Sequence, residues 1–203
     1  MVESEFIKAL ASKAPTPGGG GASAYCGSLA SALASMVANL TIGKKTYAEY
    51  EDYMKEALVR LEAIRFRMYD LINEDAEAFK PLAAAYRMPK NTPEEEKAKH
   101  DAIQAALRYA TDVPLEIMEA CSKVIFECEE LAYHGSRLAL SDVGVALLFA
   151  RAALQGAHLN VIVNANLFDD KEVGSMYRSY AEAIINPAIA KEEALYEYVL
   201  GEL

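Results

Sequence analysis

PTPGGGGASAYCGSLASALASMVANLTIGKK, residues 15 to 45, is the stretch on which the fold turns. Two prolines and four glycines, Pro15 to Gly21, cannot stay helical, so it begins as a loop. From Ala22 to Thr41 it becomes a run of alanine, serine, glycine and leucine that reads as a helix, and Gly43 stops it. No charged residue or histidine lies between Ala14 and Gly43. The run is weakly apolar for lipid and includes Asn39, so a core helix closely packed by its neighbours is expected rather than a membrane span.

Helical signals surround this helix. A first helix is expected over Val2 to Lys13, with Phe6, Ile7 and Leu10 on one face. A long third helix runs from Tyr47 to Tyr86. On it Met54, Leu61, Met68 and Leu82 share a seven-residue step, with Ala57, Ile64 and Leu71 on the next row, which is a bundle seam. Pro81 is expected to bend its end. Thr92, Pro93 and Glu94 to Glu96 read as cap, first turn and dipole partners of a fourth helix. Pro114 is expected to break or kink it, with a fifth running on to His134, where Gly135 stops it. Ser141 or Asp142 caps a sixth helix to Leu167, and a last helix, interrupted at Pro187, reaches Leu200. No segment alternates like a strand. The fold class is all-α: one domain over residues 1–203, a bundle of six to eight helices with a long central helix and a small-residue core helix.

Apolar residues make up 53% of the 203 and charged ones 25%, a globular balance. The net charge of −10 and the lack of a basic stripe argue against nucleic acid. An anionic ligand would need a local positive site. Three cysteines, Cys26, Cys121 and Cys128, read as free thiols of a reducing compartment. The N-terminus carries no secretory pattern, so a soluble cytoplasmic protein without membrane partner is expected. His100, His134 and His158 have no ligand spacing, and no metal is expected.

Several residues remain unusual. The glycine loop opens a helix, where backbone N–H groups bind anions, although a tight turn reads equally well. Lys44 and Lys45 close the uncharged segment and are candidate anchors for a carboxylate. Asp75 falls on the row Met54, Leu61, Met68, Leu82, where every other step is apolar. It either caps or pairs with a neighbouring helix, or is a poised acid–base group. Asn160 and Asn164, four apart in an apolar stretch, bond other helices or a polar heterocycle.

These features occur together and in order in one family. PTPGGGGASAYCGSLASALASMVANLTIGKKTY (residues 15–47), INEDAEAF (72–79), ATDVPLEIME (110–119) and LALSDVGVALLFARAALQGAHLNVIVN (138–164) resemble the cyclodeaminase domain of formiminotransferase-cyclodeaminase and the stand-alone methenyltetrahydrofolate cyclohydrolases of bacteria. Ser136-Arg137 departs from that family's usual Asn-Pro or Asn-Lys. The resemblance implies an all-helical homodimer acting on a tetrahydrofolate derivative with no further cofactor. It implies Asp75 and Lys44 as catalytic residues. Gly18, Gly19, Gly20, Asn39, Lys45, Asp142, Asn160 and Asn164 are implied as substrate-binding residues. Cyclisation of 5-formiminotetrahydrofolate to 5,10-methenyltetrahydrofolate with loss of ammonia is the leading expectation. Hydrolysis of the methenyl compound to 10-formyltetrahydrofolate is the alternative, and a non-catalytic helical scaffold a third.

Overall fold

A computed structural model describes residues 4–203. Six α-helices follow one another: α1 Glu5–Leu10, α2 Gly19–Thr41, α3 Glu51–Tyr86, α4 Pro93–His134, α5 Leu140–Leu167 and α6 Lys171–Glu202. Short 3-10 turns at Lys45–Tyr50 and Arg137–Ala139 lead into α3 and α5. Among the described residues there is no strand. The expected start of the first helix at Val2 lies outside the described residues, and α1 ends at Leu10 rather than Lys13.

The centre of the bundle is α2, flanked by α3 and α5 and backed by α4, while α6 packs on α4 and α5. Its small side chains make this possible. A Cβ added to Gly27 would sit 2.6 Å from Met68 Cε on α3 and 3.2 Å from Cys121 Sγ on α4. The helix stops where Gly43 takes φ +78°, a conformation comfortable only without a Cβ. The expected seam on α3 is the core: Met54, Leu61, Met68, Leu71 and Leu82 are buried. Thr92 accepts the Glu95 N–H at the start of α4, with Pro93 at the first helical position, as the sequence suggests.

Two interior prolines were expected to break helices and do not. α4 runs for 42 residues through Pro114. Proline has no N–H to give the carbonyl four residues back, which is Ala110 O. Asn164 Nδ2 on α5 donates to that oxygen at 2.7 Å, so a side chain from another helix replaces the missing bond. Pro187 lies inside α6, and both it and Ala183, whose carbonyl it leaves without a donor, are on the exposed side of the helix. A further correction concerns α5. It begins at Leu140 after Ala139 without a side-chain cap, and Asp142 lies in its first turn instead of capping it.

Ion pairs tie the outer helices together. Arg60 grips Glu127 and Arg67 grips Glu116 between α3 and α4. Lys191 meets Glu129 between α6 and α4, and Arg151 meets the buried Glu192 between α5 and α6.

Candidate active site

The start of α2 is held by a carboxylate from another helix. Gly21 N–H donates to Asp75 Oδ2 at 2.8 Å. Asp75 comes so close because Gly20 has no side chain: a Cβ there would lie 2.0 Å from Asp75 Oδ1 and 2.5 Å from its Cγ. Asp75 thus caps α2, which is the plainer of its two readings. Two further facts go beyond a cap. Burial pushes its carboxyl above the ordinary value, with the Gly21 N–H pulling the other way. Asp75 also lines a cavity of about 360 Å³, the size of a small-molecule site.

That cavity is built from four helices and one loop. Pro15, Thr16 and Gly18 to Gly20 form one wall, with the Thr16–Pro17 peptide cis. Asp75, Phe79, Leu82 and Tyr86 come from α3, Ala110 from α4, and Asn160, Val163 and Asn164 from α5. The rows of α3 and α5 that face inward therefore set aromatic and aliphatic surface around one carboxylate and two amides. Asn160 Nδ2 donates to Gly156 O within its own helix at 2.9 Å, and Asn164 Nδ2 to Ala110 O. An amide that has spent one donor still has a free N–H and a carbonyl oxygen to offer. Among the described residues, no lysine, arginine or histidine is on the cavity wall.

Three comparisons bear on what such a cavity serves. A model of the formiminotransferase-cyclodeaminase family matches residues 3–183. The chain belongs to that family. It is 46% identical to a methenyltetrahydrofolate cyclohydrolase of Methylorubrum extorquens over 198 residues, which cover 98% of this chain and 95% of the relative. It is 30% identical to the formimidoyltransferase-cyclodeaminase of Mus musculus, covering 98% of this chain and 36% of that longer protein. A solved formiminotetrahydrofolate cyclodeaminase from Thermotoga maritima superposes with a TM-score of 0.82 at 30% identity, over 100% of this chain and 96% of that one.

The family resemblance points to ten residues, and the fold divides them. Gly18, Gly19, Gly20, Asp75, Asn160 and Asn164 converge on the cavity. Lys44, Lys45, Asn39 and Asp142 do not. Thr41, which ends α2, lies about 33 Å along the helix from Gly19. Beyond it Lys44 Nζ donates to Ser136 Oγ at 3.0 Å. Ser136 N–H in turn donates to Thr41 Oγ1 at 2.8 Å. Asp142 follows six residues after Ser136, and Asn39 bonds Ser35 O on the exposed side of α2. Lys44 and Asp75 therefore do not meet within one chain. Ser136 is the residue that holds the lysine.

The cavity also contains residues that the sequence reading does not assign to a site; it places Leu82 only in the seam. Phe79, Leu82 and Tyr86 follow Asp75 at steps of four, three and four, one face of α3, so this signal was available. Ala110 and Thr16 lie in segments that resemble the family, but neither side chain carries a signal of its own. The cysteines are free: burial pushes the Cys128 thiol to about 12 and the Cys121 thiol up as well, so neither is a nucleophile.

Proposed function

We propose that the chain is a folate one-carbon enzyme that opens the methenyl bridge of 5,10-methenyltetrahydrofolate with water. Asp75 carries the reading: a carboxylate with no cation beside it among the described residues, on the wall of a mostly apolar cavity. The methenyl bridge is an amidinium and brings the positive charge that Asp75 lacks. Its arrival favours the ionised carboxylate. Asp75 then takes a proton from water as the water oxygen bonds to the bridge carbon. The resulting carbon is tetrahedral and bears a hydroxyl between N5 and N10. The C–N5 bond breaks, Asp75 gives its proton to N5, and the hydroxyl proton goes to solvent as the formyl C=O forms. One water is consumed and one proton released. Asn160 and Asn164 are the placed amides that a flat heterocycle needs in such a cleft.

Cyclisation of 5-formiminotetrahydrofolate with loss of ammonia passes through the same kind of tetrahedral carbon, and Asp75 can serve it in the same two roles. The sequence reading put that reaction first. Identity of 46% with a chain named cyclohydrolase, over nearly all of both, supports the reverse order. The Thermotoga structure, named for the deaminase, keeps the second reading in play. Two progress curves decide. With methenyltetrahydrofolate the near-ultraviolet absorbance falls faster than in buffer alone. With 5-formiminotetrahydrofolate a sustained rise would instead make deamination the reaction. No catalysis of either removes the proposal.

A further inference from the structure

α4 and α6 each carry a proline in their interior, and each proline leaves the carbonyl four residues back without its helical donor. On α6 both residues are on the exposed side. On α4, Pro114 and Ala110 are both buried, so the freed oxygen needs a partner from the protein itself. That partner is Asn164, which also lines the cavity. One side chain thus serves a neighbouring helix and the site together.

An asparagine amide has two ends of nearly equal size and opposite hydrogen-bonding character. Left free, it can present either one. Asn164 is not free. Its Nδ2 donates to Ala110 O at 2.7 Å. Turned over, the amide would set Oδ1 against that oxygen, acceptor to acceptor, and leave a buried carbonyl without a donor. The bond therefore assigns Oδ1 to the cavity side. Asn160, one turn earlier on α5, is held in the same sense, with Nδ2 donating to Gly156 O at 2.9 Å. Among the described residues, neither amide oxygen accepts a hydrogen bond. Asp75 adds a further acceptor, since Gly21 N–H occupies only its Oδ2. A wall of fixed acceptors fits a ring edge made of donors. The pterin of a reduced folate has such an edge in its 2-amino group and N3–H. Given the folate reading above, we infer that Pro114, which is not on the cavity wall, is a positioning residue for the substrate: by denying Ala110 O its helical N–H it draws the Asn164 amide onto α4 and points the amide oxygen at the donor edge of the pterin.

Pro114→Ala tests this, because it returns a backbone N–H to Ala110 O and releases the amide. The variant is expected to melt no lower than the wild type, since alanine suits a helix interior better than proline. Yet it binds substrate less well. Losing the preorganisation of one side chain raises KM for methenyltetrahydrofolate about two- to tenfold, while kcat, which depends on Asp75, stays near the wild-type value. A proline that served packing alone would change stability and leave KM where it was, and that result overturns the inference. The route is tested in a second background. Asn164→Leu alone raises KM about tenfold or more, and Pro114→Ala added to it raises KM no further. Equal factors in the two backgrounds overturn the route through Asn164. The ring edge is tested on the wild type, whatever the variants do. An analogue of methenyltetrahydrofolate with a methyl group in place of the 2-amino group loses about tenfold or more in kcat/KM, and the gap narrows in Asn164→Leu. An analogue as good as its parent overturns the role of the amide oxygen. A wild type that turns over neither folate overturns the reading of the cavity, and the inference with it.

Discussion

Replacing Gly20 with alanine puts a methyl group where Asp75 is. The new carbon would lie 2.0 Å from Asp75 Oδ1, 2.5 Å from Cγ and 2.8 Å from Oδ2. To reach ordinary contact near 3.4 Å the carboxylate must withdraw by about 1.4 Å. That movement ends the 2.8 Å bond from Gly21 N–H. Loss of such a cap costs about 1–2 kcal/mol, which in a chain of this length lowers the melting temperature by roughly 2–8 °C. The effect on turnover is larger, because a displacement of about 1 Å at a reacting group costs roughly a hundredfold. The assay is the methenyl progress curve with thermal melts alongside, closed into a cycle with Asp75→Asn. If alanine acts only by displacing the carboxylate, Gly20→Ala in the Asp75→Asn background is no slower than Asp75→Asn alone. Wild-type turnover in Gly20→Ala would refute the argument. A further hundredfold loss in the double variant would mean that Gly20 serves the substrate rather than the carboxylate.

Other predictions concern charge and the proline of α4. Burial raises the Asp75 carboxyl above its ordinary value, so the acid limb of kcat/KM in the wild type is displaced upward from that of a free aspartate, and Asp75→Asn loses it. A limb in the ordinary range would show a solvated carboxylate. The sign for stability follows from the same shift. The folded chain holds this proton more tightly than the unfolded one, so the contribution is present at low pH and is lost as pH rises through the folded-state pKa. Ligand-free Asp75→Asn therefore melts above wild type at neutral pH, and the gap closes on acidification; a lower melting point at neutral pH would contradict it. Asn164→Leu leaves Ala110 O without its donor and costs about 1–3 kcal/mol in urea unfolding. Pro114→Ala restores a backbone N–H there, so the cost of Asn164→Leu shrinks in that background. An equal cost in both backgrounds would separate the asparagine from the proline.

The comparison of sequence with structure divides along physical lines. Local chemistry was legible. The small-residue run, the Gly43 stop and the seam of Met54, Leu61 and Met68 each follow from side-chain size, backbone freedom or period, and each is where it was expected. Asp75 stood out because it breaks an apolar row. Asn160 and Asn164 stood out because amides in apolar surroundings need partners. Pro114 misled because its local cost is met by a residue fifty positions away, on another helix. Lys44 is a different matter. The order loop, helix, lysine already places it at the far end of α2 from the glycine loop, and the family resemblance names both as site residues without saying how they meet.

The length of α2 then takes on a meaning beyond packing. Most proteins position distant binding groups with loops, which can gain or lose residues without moving what they hold. Here the spacing between the glycine loop and the lysine is written into an unbroken helix of 23 residues. One residue added or removed shifts the far end by about 1.5 Å and turns it by about 100°. The helix is a ruler between its two ends, and a change in its length cannot be absorbed anywhere along it.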